Sequence, residues 1–294
     1  MEKDEEIGCG ISLLVPVYIG QHHDRRAQNW NWLKKYWEHH LPGAEIVIGA
    51  DKEAAKHNLP FSKSVAVNDA ACRANGDVFV IIDADAYPSP ETILRAAREI
   101  RLARILGYKL WLIPYRRLFR LTEKAATRVL KSDPKDPHRF SSPPPDKDFV
   151  STASFPGASA ARKAHWYGAM LQIMPREAFE LVGGWDPRFR GWGGEDYAAM
   201  AAMDTLYSPH KTLPDQILHL WHPVTGFEKA EDAAGKRRYW ENQTGTNSIL
   251  SSRYYQANRH PRRMRELLDE FKDEVKCHRH KHHRHHKHHH PMSC

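Results

Sequence analysis

No apolar run in this chain of 294 residues is long enough to cross a bilayer. The longest strongly apolar stretch is Val78-Phe79-Val80-Ile81-Ile82, against the roughly 20 residues that a spanning helix needs. The N-terminus, Met1-Glu2-Lys3-Asp4-Glu5-Glu6, is acidic and has no apolar centre, so no secretory signal is expected. Cysteine is scarce. The four residues, Cys9, Cys72, Cys277 and Cys294, have no paired spacing, which argues against a disulfide framework or a zinc site. They are expected to be free thiols in a reducing compartment, and the chain is expected to be cytoplasmic. Acids are absent from the last 18 residues, Cys277 to Cys294, which supply +4 of the net +8. The +4 left for the body is ordinary for its size and supports nucleic-acid binding only weakly. No internal repeat is visible.

Hydrophobic residues at 41% and charged residues at 27% suit a soluble chain with a sizeable core. Residues 11–18 read as a short buried strand broken by Pro16. Trp30, Leu33 and Trp37 recur at helical spacing, with Leu41 one turn on and Asp24 as N-cap. Glu45 to Ala50 reads as a second strand. Ser62 caps a helix with Val65, Ala66, Ala70 and Ala74 on its apolar face, and Gly76 stands where a helix-ending glycine belongs. Residues 78–82 form the strongest strand, apolar on both faces as a central parallel strand should be. Ser89-Pro90 opens a helix that stops at Gly107. Strand–helix repeats of this kind predict a doubly wound α/β sheet.

Regularity fades from Lys131 to Gly157. It returns with a short helix from Pro175 to Gly183-Gly184, a second helix from Glu195, a strand from Gln216 to about Trp221, and a closing helix from Arg262 to Val275. The expected organisation is one large domain: a first half over 8–107, irregular loops over 108–165, a second half over 166–276, and a disordered tail over 277–294. The tail holds nine histidines. It reads as a solvated segment that charges below pH ~6.5, with weak metal binding as a side effect.

Three constellations carry chemistry. Asp83-Ala84-Asp85 follows the central strand directly, where open α/β sheets bind their ligands. Two carboxylates one residue apart can share a hard cation and leave positions for phosphate oxygens. The bland reading is a polar turn. Next, Gly183 to Asp196 combines glycines that permit close backbone approach with Trp192, suited to a flap, and with Glu195 and Asp196 at a helix start. The helix dipole there would lower both carboxyl pKa values. Last, His219-Leu-Trp-His222-Pro follows a short strand. Residues three apart on a strand face opposite ways, so both histidines reach one ion only if the chain turns before Pro223.

These segments, with Leu13-Leu-Val-Pro-Val-Tyr18 and Phe61-Ser-Lys-Ser-Val-Ala-Val-Asn68, resemble the GT-A-fold glycosyltransferases. The resemblance is to the branch holding β1,4-galactosyltransferases and family-2-like bacterial and phage enzymes. It covers most of 11–222, and Trp-Gly-Gly-Glu-Asp after Gly-Gly-Trp-Asp is its most discriminating part. It implies a GT-A fold, a Rossmann-like mixed sheet. Pro16, Val17 and Tyr18 would hold the nucleotide base and Asp51 the uridine. Lys63 and Asn68 would face the nucleotide. Asp83 and Asp85 would bind metal and diphosphate. Trp192, with Gly193 and Gly194, would close over the donor. Asp196 would be the catalytic base and Glu195 the acid contacting the acceptor. His219 fits the family's metal histidine better, with His222 as the fallback.

The implied reaction is single-displacement, inverting transfer from a nucleotide sugar, UDP-linked, to a saccharide or protein hydroxyl, with Mn²⁺ or Mg²⁺ as cofactor. The chain lacks the Gln-x-x-Arg-Trp signature of processive synthases; Lys236-Arg-Arg-Tyr-Trp240 is a distant echo. A membrane anchor like that of Golgi galactosyltransferases is not expected, and the Asn242-Gln-Thr244 sequon is expected to go unused. Two rivals rank lower. One is transfer to hydroxylated bases in DNA, using Arg116-Arg117 and Arg237-Arg238. The other is a non-catalytic metal-binding or interaction protein.

Overall fold

The computed structural model describes residues 8–18, 24–57, 59–154, 170–191, 193–223 and 245–275. Its first part runs β1 (Ile11–Pro16), α1 (Asp24–His40), β2 (Glu45–Gly49), α2 (Lys52–His57), α3 (Lys63–Arg73) and β3 (Val78–Ile82). The two apolar runs explain the centre. Every residue of β1 and β3 is buried, and β1 lies between β2 and β3, parallel to both. Burial of both faces is what a central strand needs, each large side chain contributing roughly 1.5–3 kcal/mol. Trp30, Leu33, Trp37 and Leu41 of α1 and its end are buried in the same core.

Next come β4 (Ala86–Pro88), α4 (Pro90–Ile105), β5 (Leu112–Ile113), β6 (Arg117–Leu121), α5 (Glu123–Lys131) and β7 (Phe149–Ser154). The remaining elements are β8 (Leu171–Pro175), α6 (Arg176–Leu181), α7 (Glu195–Leu206), β9 (Lys211–Thr212), β10 (Gln216–His219), α8 (Gly245–Ala257) and α9 (Pro261–Asp269). The larger sheet has six strands in the order β2-β1-β3-β8-β5-β9, with β8 antiparallel to β3 and β5. The smaller sheet has four, ordered β4-β10-β6-β7. One continuous core reaches from Ile11 to Phe271. The chain is thus a single mixed α/β domain.

Several expectations need correction. Residues 108–131 and 149–154 are not irregular: they supply β5, β6, α5 and β7, whereas 132–148 hold only a short 3-10 turn, in keeping with the loss of pattern from Lys131. β5 is only two residues long and β6 is interrupted by Arg117 and Arg120, so neither leaves a strong sequence signal. Helix α8 falls in a segment with no apolar periodicity. Gly76 does not end α3 in a left-handed turn; the helix stops at Arg73 with Ala74 as its cap. Gly76 is there for close approach, because a Cβ would lie 2.5 Å from the Gly10 carbonyl oxygen and 2.6 Å from Ser12 Oγ. Cys9 and Cys72 are disulfide-bonded, and no described cysteine is free. The free-thiol expectation fails for these two, which removes the ground on which a reducing compartment is inferred. Spacing along the chain misleads here, since α3, which carries Cys72, folds back onto β1, the strand that Cys9 leads into. The tail lies outside the described residues. No helix among the described residues is long and apolar enough to cross a membrane.

Candidate active site

Lys63, the first residue of α3, organises the site. Ser62 fixes the helix start: its Oγ accepts from Val65 N at 3.3 Å and donates to the Phe189 carbonyl at 2.7 Å. Lys63 Nζ then lies 2.6 Å from Asp83 Oδ1 and 2.8 Å from Asp196 Oδ1, and 5.6 Å from the centre of the Trp185 ring. Burial alone would discharge the amine. The charges of Asp196 and Asp83 outweigh it and raise the Lys63 pKa. Two acids from distant parts of the sequence are thus joined through one ammonium.

Asp196 is the second residue of α7, whose N-cap is Gly194 at φ 98°. A Cβ at Gly194 would sit 2.3 Å from Ser251 Oγ and 2.9 Å from Phe189 Cε1, so the close turn into α7 requires glycine. Gln172 Nε2 donates to the Asp196 carbonyl at 3.2 Å. The Asp196 carboxyl is pushed up to about 6, chiefly by burial, with Lys63 pulling it down and Asp83 pushing it up. Glu195 is pushed up to about 8 by burial and by the neighbouring Asp196 charge. The lowering expected from the helix dipole is therefore overturned, because desolvation of the two adjoining acids is the larger effect. Glu195 Oε2 is buried and accepts no hydrogen bond among the described residues. Tyr115, fully buried, has its phenol pKa raised by burial and by the charges of Asp196 and Asp83.

The second cluster forms where β4 and β10 meet. His219 pairs in register with Ala86, and Leu220 N donates to the Asp85 carbonyl at 2.9 Å. β10 ends at His219, and the chain beyond it brings His222 back. His222 Nε2 lies 3.3 Å and His219 Nε2 3.6 Å from Asp85 Oδ2. Ligand atoms of Asp85, His219 and His222 all lie within 4.8 Å of one another. Burial would raise the Asp85 pKa, but His219 and His222 hold it well below the usual carboxylate range. Burial would lower the His222 pKa, and its contact with Asp85 raises it instead. Arg26 of α1 adds a cation 3.7 Å from Asp85 Oδ2. One carboxylate and two imidazoles suit a divalent transition ion such as Mn²⁺ better than Mg²⁺, which prefers all-oxygen sites. Asp83 stands outside this cluster, on Lys63.

The remaining site residues divide by their contacts. Pro16 is buried at the end of β1, Val17 N donates to the Gly49 carbonyl at 2.9 Å, and Tyr18 is exposed with its ring edge-on to Phe61. Asp51 is buried and engaged: Oδ1 accepts from Ala54 N at 3.0 Å, and Oδ2 from Ser62 N at 3.0 Å and Arg190 Nη1 at 3.3 Å. Asn68 uses both ends of its amide on Trp185, accepting from its N–H at 2.9 Å and donating to its carbonyl at 2.7 Å. It latches the Gly183–Trp185 turn to α3. Trp192 lies outside the described residues. Its flanks are held by Asn247 of α8, which donates to the Arg190 carbonyl at 2.9 Å and the Gly193 carbonyl at 3.2 Å. Asn247, Arg26, Gln172 and Tyr115 all escaped sequence reasoning; each is a lone polar residue whose partner is remote in the chain. Of the arginines raised for nucleic acid, Arg116 reaches Thr212 and Arg117 reaches Ser142, while Arg237 and Arg238 lie outside the described residues.

No protein-family model matches the chain, and no curated protein sequence matches it. Among solved structures, it is similar to the catalytic domain of Drosophila beta1,4galactosyltransferase 7 in complex with xylobiose. That match has a TM-score of 0.36 and 14% identity, over 69% of this chain and 63% of the other. It is also similar to the mannosyltransferase PcManGT from Pyrobaculum calidifontis in complex with GDP-Man and Mn²⁺, with a TM-score of 0.42 and 14% identity over 90% of this chain and 75% of the other. A third similarity is to GalNAc-T7 with UDP, GalNAc and Mn²⁺, with a TM-score of 0.41 and 11% identity over 92% of this chain and 56% of the other. The chain thus spans less than two thirds of the length of the galactosyltransferase and GalNAc-T7 chains, and each of the three is a glycosyltransferase.

Proposed function

We propose that this chain is a metal-dependent glycosyltransferase that moves a sugar from a UDP-linked donor to a saccharide or protein hydroxyl by a single inverting displacement. The observation that carries the reading is the Lys63 bridge. Through Lys63, Asp196, an acid with a raised pKa, is linked to Asp83, which opens the turn that carries Asp85 and its histidines.

Asp85, His219 and His222 would hold Mn²⁺, which when bound offsets the charge developing on the leaving diphosphate. Asp196, with a pKa of about 6, is mostly ionised at neutral pH and is a stronger base than an exposed aspartate. It would take the proton from the attacking acceptor hydroxyl. Glu195, pushed up to about 8, is mostly protonated there and can donate a hydrogen bond to the acceptor through a carboxyl whose Oε2 has no partner among the described residues. Lys63 keeps Asp196 oriented and supplies positive charge beside the departing group. Pro16, Val17 and Tyr18 would line the base site, with Asp51 behind Arg190. Asn68 would act by holding Trp185 in place, and Trp192, between Gly191 and the Gly193-Gly194 pair, would cover the donor. A panel of nucleotide sugars tested for Mn²⁺-dependent hydrolysis and for thermal stabilisation checks the reading. A donor that does both identifies the substrate; failure of every nucleotide sugar in both assays removes the proposal.

A further inference from the structure

A depression lies apart from the candidate active site, between α5 and the 132–148 segment. One cavity of about 540 Å³ is lined by Lys124, Arg128, His138, Arg139, Phe140 and Lys147, with Asp148 at its wall. It continues into a shallow, open stretch of surface that shares Arg128, His138 and Arg139 and adds Lys131. The shared wall makes the two one groove.

The sequence of α5 explains its cationic side. Ala125, Ala126 and Val129 are buried, so Lys124, Arg128 and Lys131, at helical spacing, fall on the outer face. The opposite wall is built, not loose. Trp32 Nε1 donates to the Ser132 carbonyl at 3.0 Å, His138 N to Ser132 Oγ at 3.0 Å, and Thr122 N to the Asp148 carbonyl at 2.9 Å. His40 Nε2 lies 3.0 Å from the Pro134 carbonyl oxygen.

The charges do not cancel. In the first cavity Lys124, Arg128, Arg139 and Lys147 face one acid, Asp148. Asp148 is buried and spent on Arg128, 2.6 Å away. Lys124, Arg139, Lys147 and, farther along, Lys131 form no ion pair among the described residues; Asp136 is the only other acid lining the groove. A concave surface with unbalanced cations concentrates field lines and favours an anionic ligand. The chain itself ties the groove to the candidate site. α5 follows directly on β6, whose Arg120 pairs in register with His219.

We propose that this groove binds a negatively charged saccharide, bearing sulfate, phosphate or uronate groups, that serves as the anchoring segment of the acceptor. The word acceptor rests on the glycosyltransferase reading; the anion site rests on its own geometry. Nucleic acid fits less well. Among the described residues Phe140 is the only aromatic ring at the groove besides His138, which meets it edge-on, and Arg128 stands over it. That leaves no row of open ring faces for successive bases.

The test is calorimetric titration of the full chain with a sulfated oligosaccharide, a neutral oligosaccharide of equal length, inorganic sulfate and a single-stranded oligonucleotide. The sulfated oligosaccharide should bind, weaken with added salt and lose roughly tenfold or more in the exposed-site variant Lys124→Glu/Lys147→Glu. Arg139→Ala, which removes one charge without reversing it, should lose less. The neutral sugar should not bind. Equal binding by parent and both variants, sulfate matching the oligosaccharide at equal sulfate concentration, or tighter binding of the oligonucleotide would each overturn the proposal. Mn²⁺-dependent donor hydrolysis, followed in the same samples, should be unchanged in the variants. Absence of hydrolysis even in the parent would count against the glycosyltransferase reading and leave the binding result to decide the groove.

Discussion

Lys63 holds Asp83 and Asp196 at 2.6 and 2.8 Å through a single ammonium, so the acid after the central strand and the acid at the start of α7 share one cation. The amine sits between the two halves of the proposed chemistry, and substitutions around it separate them.

Asp196→Asn should remove the base and keep the fold, since the amide is nearly isosteric and Lys63 retains Asp83. Transfer should fall roughly 10²–10⁴-fold in kcat, with donor affinity nearly unchanged. Donor calorimetry set beside transfer rates checks this. Transfer at the parent rate would shift the base to Glu195.

Activity should require a divalent ion. Asp85→Ala should abolish Mn²⁺ binding measured by calorimetry. Sequence reasoning ranks His219 ahead of His222, but both lie within reach of Asp85. His219→Ala and His222→Ala should therefore lower Mn²⁺ affinity by similar factors. Full activity in excess EDTA would sink the metal assignment.

Glu195 should make stability depend on pH. Its folded pKa of about 8 lies above the ordinary 4.5, so the folded state favours the protonated acid. That stability is fully present below about pH 4.5 and is lost as pH rises through about 8. Glu195→Gln, neutral throughout, should exceed the parent by on the order of 2–4 kcal/mol above this window and converge with it below. Urea unfolding at both ends of the range measures the gap; a gap that does not vary with pH counts against a buried, protonated Glu195.

Asn68→Ala should leave the buried N–H and C=O of Trp185 without partners and cost roughly 2–4 kcal/mol. Thermal or urea unfolding reads this directly. Unchanged stability with weakened donor binding would instead make Asn68 a direct donor contact.

Local chemistry was readable from the residues alone. Ser62 caps α3, Pro90 opens α4, and the all-apolar 78–82 run is a central strand, because each signal is contained within a few neighbours. What failed depended on distance. The position of Gly76 is set by Gly10 and Ser12, and the state of Cys9 and Cys72 by the return of α3 onto β1. The Asp196 pKa departs from the dipole expectation because the dipole of α7 is visible in sequence while burial beside Glu195 is not. Asp83, Asp85, Lys63, Asp196 and both histidines were singled out from motif and resemblance, but only the fold divides them into an ammonium-linked acid pair and a three-ligand cluster. Asn247 has no motif, and its clamp on the residues around Trp192 exists only once α8 docks.

If the proposed site holds an ion, the route of β10 would make ion capture a checkpoint on assembly. Asp85 lies early in the chain, while its two imidazole companions arrive with β10, His219 at its end and His222 just beyond it, and β10 must slot between β4 and β6. A nascent chain released before His222 would hold an incomplete chelate. A divalent ion would therefore latch only molecules whose smaller sheet has closed, and would stabilise that closure in proportion to its free concentration. Loosening of β10 alone, with the larger sheet intact, would release the ion, so metal occupancy would report on the integrity of the smaller sheet.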